Sequence, residues 1–98
     1  MIFDNGYLTD VALKELEKHV DMIDCECPTY LIRILNQVRE FNDYTTECIK
    51  KYPKDVATHM WLQTSAKNID AMLSNTIVQL ARMEGFIDEK NDFVNRKT

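Results

Sequence analysis

The residues able to do chemistry in this chain are few, and they fall in two places. Cys25 and Cys27 flank Glu26 in a C-x-C; Cys48 and His59 lie further on, with Tyr44 and Asp55 at nearby positions. Cys27, Cys48 and His59 are side-chain types that ligate zinc. However, C-x-C is not C-x-x-C, so neither a zinc-ribbon nor a redox motif is spelled out. Cys27 and Cys48 fall on one predicted helix, roughly 30 Å apart by its rise. Cys48 and His59 can meet at a helix–helix turn, but two ligands make no site. Only an antiparallel dimer would bring Cys25 and Cys27 of one copy to Cys48 and His59 of another. Isolated cysteines more often serve as small buried apolar side chains. Cys48 beside His59 also has the outline of a nucleophile and its base, yet no glycine loop or oxyanion-hole turn accompanies them. The expectation is a protein with no catalytic residue, no firm metal site and no cofactor. His59 is expected on a buried stripe, bonded to Tyr44. Phosphotransfer at His59 is not expected, because Met60, Trp61, Leu62 and Gln63 supply no basic residue or glycine beside it.

The elements that must position these groups are helices. Residues 53–84 contain no internal Pro or Gly, and Gly85 ends the run. Within it His59, Leu62, Ala66, Ile69, Leu73, Thr76, Leu80 and Met83 alternate steps of three and four. That spacing draws one apolar stripe on a helix roughly 45 Å long. Residues 28–51 form a second helix, opened by Pro28, whose missing N–H and preset φ suit a first turn. Leu31, Ile34, Val38, Phe41, Thr45, Cys48 and Tyr52 repeat the alternation, and Ile32 and Leu35 widen the face. A first helix over 10–23 carries Leu13, Leu16, Val20 and Ile23, with Thr9 or Asp10 as its cap. Residues 1–9 read as an irregular lead-in with Asn5-Gly6 as a turn. A tight connection between the second and third helices predicts a hairpin centred between Lys51 and Tyr52, with Tyr44 facing His59 and Val38 facing Ala66.

The fold class is therefore all-α. One domain over residues 1–98 forms an antiparallel bundle of three main helices (10–23, 28–51 and 53–84). Residues 86–98 are a polar tail or a short fourth helix from about Asp88 to Val94. The third helix outruns its partner, so Ile77, Leu80 and Met83 need cover, either from residues 86–94 folding back or from a second subunit. The homodimer is the preferred expectation, with Ile77, Leu80, Met83 and Trp61 as its interface.

Charge and composition narrow the partners. Twelve basic residues are scattered among sixteen acidic ones, a net charge of −4. Binding a phosphate backbone needs clustered cations, so direct contact with nucleic acid is not expected. The first residues lack a basic, then apolar, leader, and no apolar run approaches the ~20 residues that span a bilayer. Three cysteines, an odd number, fit a reducing cytoplasm.

Glu26-Cys27-Pro28, Leu31, Leu35, Phe41, Tyr44-Thr45 and Cys48 form one motif line, and Pro53, Asp55, Ala57, His59, Leu62, Ala66, Ala81 and Glu84-Gly85 continue it. The pattern E-C-P…F-x-x-Y-[ST]-x-x-C…P-x-D-x-x-x-H-x-x-L resembles a small helical domain that follows the MerR-type DNA-binding domain in some proteobacterial regulators. The resemblance covers roughly residues 26–85. It implies a bacterial, non-enzymatic regulatory or protein–protein interaction module that pairs with itself or with a larger regulatory protein. No winged helix-turn-helix fits in the first 25 residues, so the resemblance does not carry DNA binding with it. Tyr44, Cys48, Asp55 and His59 are the motif residues that could line one small polar pocket. The alternative it leaves open is a small-ligand or metal sensor at the Cys48, His59 and Tyr44 end.

Overall fold

Two helices do most of the building. The computed structural model describes residues 3–20 and 25–94, and among these the chain is mostly helical, with three α-helices. Helix α1 spans Asp10–His19, α2 spans Cys27–Lys51 and α3 spans Val56–Met83. Pro28 stands in the first turn of α2, where backbone N–H groups have no helical acceptor and a missing one costs nothing. A single 3-10 turn, Pro53–Asp55, joins α2 to α3, closed by the Asp55 N–H donating to the Tyr52 carbonyl at 3.0 Å.

The two long helices double back along one another, in a different register from the expected one. Gln63 Nε2 donates to Thr46 Oγ1 at 2.7 Å, and Arg39 Nε to Asp70 Oδ2 at 2.9 Å. These pairs centre the reversal between Lys54 and Asp55, not between Lys51 and Tyr52. The cause is local: the 3-10 turn takes up Pro53–Asp55, which the expected register had assigned to the paired helix.

A third layer covers one half of this pair. Strands β1 (Phe3–Asp4) and β2 (Tyr7–Leu8) pair antiparallel, Phe3 opposite Leu8. Asn5 and Gly6 between them have φ of 54° and 87°, the two left-handed residues that a two-residue hairpin turn requires. The expected irregular lead-in is thus a small β-hairpin. Thr9 caps α1 by accepting from the Ala12 N–H at 3.1 Å, which leaves the Asp10 carboxylate for other work. Ala12, Leu13 and Leu16 are the buried side of α1. The helix ends at His19, short of the expected residue 23, and Ile23 lies outside the described residues.

One side of the far end of α3, with Ile77 and Ala81, is covered by the chain itself. Gly85, at φ 82°, allows the Gly85 N–H to reach the Arg82 carbonyl at 3.2 Å and the Phe86 N–H to reach Ala81 at 2.9 Å. This double closure of a helix end turns the following residue back on the helix, and Phe86 is left 1% exposed. The short fourth helix expected at 88–94 does not form. Asp88 Oδ1 accepts from the N–H groups of Lys90 and Asp92 at 2.8 and 3.0 Å, and Asn91 is left-handed at φ 64°. A carboxylate that takes local amides in this way competes with helix formation. The result is a closed loop in which Ile87 bridges Phe93 and the Val94 N–H donates to Phe86. The His19 ring stacks on Phe93 at 5.6 Å and tilts against Phe86 at 5.5 Å, so the loop seals against the last turn of α1.

The main core is where these layers meet: Leu8, Leu16, Ile32, Leu35, Ile77 and Phe86 lie within it. Between Leu35 and Ile77 in sequence it takes no fully buried residue, and the half-buried Leu73 packs against it. Towards the turn, the buried side chains are instead Thr45, Cys48 and Ala66, a seam between two helices.

Candidate functional site

At the turn end, the expected polar cluster divides into pairs. Cys48 is buried and Tyr44 is exposed; the Cys48 thiol beside the Tyr44 hydroxyl holds the phenol above its ordinary pKa. His59, half-buried in the first turn of α3, has Tyr52 as its ring neighbour, with centroids 6.4 Å apart. The hydrogen bond expected from Tyr44 is not made: His59 Nδ1 is sealed from solvent without a hydrogen-bond partner among the described residues. Asp55 is exposed in the 3-10 turn. Cys27 begins α2 at the opposite end of that helix from Cys48. Among the described residues no three His, Cys, Asp or Glu side chains gather closely enough to share a metal ion.

In the middle of the molecule stands a polar clamp that the spacing of apolar residues did not announce. Arg39 directs Nε and Nη2 to the two oxygens of Asp70, at 2.9 and 3.3 Å, Nη1 to Asp10 at 3.2 Å and Nη2 to the Leu8 carbonyl at 2.7 Å. Ser74, fully buried, donates to Asp70 at 2.9 Å and accepts from the Leu8 N–H at 3.0 Å. Arg39 and Ser74 thus hold both backbone polar groups of Leu8, and one guanidinium ties β2 and α1 to α2 and α3. Only arginine presents several N–H donors in a planar fork that can do this. An open depression of about 520 Å³ beside it is lined by Asn5, Tyr7, Asp10, Arg39 and Asp43 among others. Its one cation is already engaged by two carboxylates and a carbonyl, and the arrangement serves as a clamp.

The third feature is an open apolar face. Leu31, at the edge of the core, shares a shallow depression of about 460 Å³ with Thr76, Leu80 and Met83 among others. Steps of three and four extend that face from Leu31 through Ile34, Val38 and Phe41, and from Met83 back through Leu80, Leu73 and Ile69. Ile34, Phe41 and Ile69 are 44–45% exposed and Met83 74%; Leu31, Val38, Leu73 and Leu80 are half-buried. No charged residue falls in either series. Ile77, expected in this interface, is 3% exposed and lies in the core. The folded-back C-terminal loop and the α1 layer draw it inward, so it is withdrawn from the seam. Trp61 is exposed at the turn end of α3. Along the helix it stands 19 residues from Leu80, roughly 28 Å by the helical rise, and so lies well beyond this depression.

No family model, curated protein or solved structure matches the chain. The likeness to the regulator-associated helical domain therefore rests on the motif residues alone. Of these, Glu26, Cys27 and Pro28 stand at the start of α2, Tyr44 and Cys48 near its end beside the turn that Pro53 opens, and the rest are spread along α2, the turn and α3. No helix of the described residues is long and apolar enough to cross a membrane.

Proposed function

We propose that this chain is a non-enzymatic helical interaction module that pairs with a second copy of itself through the open face of α2 and α3. Within each copy the three helices act as one antiparallel bundle. The observation that carries the reading is the uncharged series Leu31, Ile34, Val38 and Phe41 beside Ile69, Leu73, Leu80 and Met83, with four of its members well exposed. Soluble monomers rarely leave a contiguous apolar strip of this kind in water, and a two-fold axis lets one strip cover another like it. The regulator-like motif supports the same class of role, in a bacterial cytoplasm, with a larger regulatory protein as the partner that could present an equivalent helical face.

The test is the mass of the assembly. Ile69→Glu and Met83→Glu change exposed positions and leave the core alone, so each variant keeps the wild-type helical circular dichroism. Native mass spectrometry at tens of micromolar (about 10–50 µM, well above the Kd of a specific interface of ordinary size) should give dimers for wild type and monomers for the double variant. A monomeric wild type at that concentration would sink the pairing.

One observation favours a second reading, a small-ligand sensor at the turn. His59 Nδ1 is buried without a hydrogen-bond partner among the described residues, and buried polar atoms usually have one. Replacing His59 with Ala removes the bound small molecule from the native mass spectrum under this reading, and changes only stability otherwise.

A further inference from the structure

The two exposed thiols at the start of α2 have a geometry that their C-x-C spacing did not suggest. Cys25 Sγ and Cys27 Sγ lie 3.0 Å apart in a thiol–thiol hydrogen bond, and the Cys27 backbone N–H donates to Cys25 Sγ at 3.5 Å. Both side chains are open to solvent. From this juxtaposition we infer that Cys25 and Cys27 are a redox-active dithiol, which exchanges with low-molecular-weight disulfides and closes a reversible disulfide within one chain.

Distance decides between the two things a pair of thiols can do. Zinc bonds each thiolate at about 2.3 Å and takes four ligands, which sets tetrahedral sulfurs close to 4 Å apart. These sulfurs are nearer than that, and among the described residues no third ligand joins them. A disulfide needs them about 1 Å closer, at a bond length of about 2.05 Å. The short reach favours closure over chelation.

The two sulfurs are also unequal. The contact with the Cys27 thiol, and after it the Cys27 backbone N–H, holds the Cys25 pKa below its ordinary value. The carboxylates of Glu84 and Glu26 act weakly the other way. Cys27 is held above its ordinary value by the same thiol contact and by the charge on Cys25. Cys25 is therefore the attacking sulfur and Cys27 the resolving one, since the thiolate is the nucleophile. With oxidised glutathione as the oxidant, Cys25 thiolate attacks one glutathione sulfur, forms a mixed disulfide and expels a glutathione thiolate. That thiolate takes the Cys27 proton. Cys27 then attacks Cys25 sulfur and expels the second glutathione as a thiolate, which takes from solvent the proton that Cys25 gave up on ionising. The protein loses two electrons and two protons, and one oxidised glutathione becomes two reduced ones. The ring so formed is small and exposed, and disulfides of that kind are easily reduced.

The test is intact-mass spectrometry of the full chain after exposure to oxidised glutathione. Wild type and Cys48→Ser should both lose the mass of two hydrogens, with peptide mapping joining Cys25 to Cys27 and a thiol reductant restoring the mass. Cys27→Ser should stop at a stable glutathione adduct on Cys25. Lasting adducts on wild type, a disulfide between two copies, or an unchanged mass would each overturn the inference.

Discussion

The half of the molecule that carries α1, the β-hairpin and the folded-back loop is three layers deep. The half that carries the turn, among the described residues, is two helices lying against each other. In the two-helix half, Thr45, Cys48 and Ala66 are buried, and all three sit on the stripes of alternating threes and fours. In the layered half the same stripes give Ile34, Ile69 and Met83, which are exposed. The buried positions there are Ile32, Leu35, Ile77, Val78 and Ala81. A seam between two helices needs one narrow stripe on each. A third layer on one side turns the buried face toward itself and leaves the old stripe half in water. The open face is therefore the part of the hairpin seam that the third layer did not use.

The sharpest way to break this contrast is to empty the layered core. Phe86→Ala removes a fully buried ring that meets His19, and should cost about 3–5 kcal/mol in urea unfolding. A loss near zero would mean that the loop does not belong to the core. Next comes the clamp. Arg39→Ala leaves Asp70 with only the Ser74 hydroxyl as donor and removes the side-chain donor to the Leu8 carbonyl, and should cost about 1.5–3 kcal/mol, the range for bonds to a charged group. Arg39→Lys should recover little of it, because a point charge cannot fork to Asp10, Asp70 and Leu8 together. Gly85→Ala should cost about 1–2 kcal/mol by forcing a side chain into the left-handed region at φ 82°, with no clash to add because an added Cβ meets nothing within 4 Å. At the small end, Trp61→Ala in the two-helix half should move the thermal midpoint very little, within about 0.5 kcal/mol. A large loss there would show that Trp61 is covered in solution.

Local punctuation was legible in the sequence. Thr9 caps α1, Asn5-Gly6 turns the chain, Pro28 opens α2, and Gly85 ends α3, because each position demands a backbone property that few residues supply. The buried line of α3 was legible only at Ala66. It runs Ala66, the half-buried Asp70, Ser74 and Val78, in steps of four, and its middle two members are polar; a count of apolar spacing passes over them and settles on Ile69 and Leu73 instead. An Arg in α2 and an Asp–x–x–x–Ser in α3 were the available signal, but only the fold shows that they meet. The turn cluster was half legible. Tyr44 and Cys48 are one turn apart and meet, whereas the partner of His59 depended on a register that the 3-10 turn shifted.

The clamp also sets an order of events during folding. The acceptor and donor that hold Leu8 belong to α2 and α3, and they stand side by side only after those helices have zipped together from the turn. The β-hairpin has no seat on the chain before then. Its docking is therefore expected to be a late step that closes the core rather than one that nucleates it, and in the native state it is the layer expected to open without the long hairpin coming apart. Amide exchange at Leu8 that runs ahead of exchange in the middle of α2 would be the mark of that order.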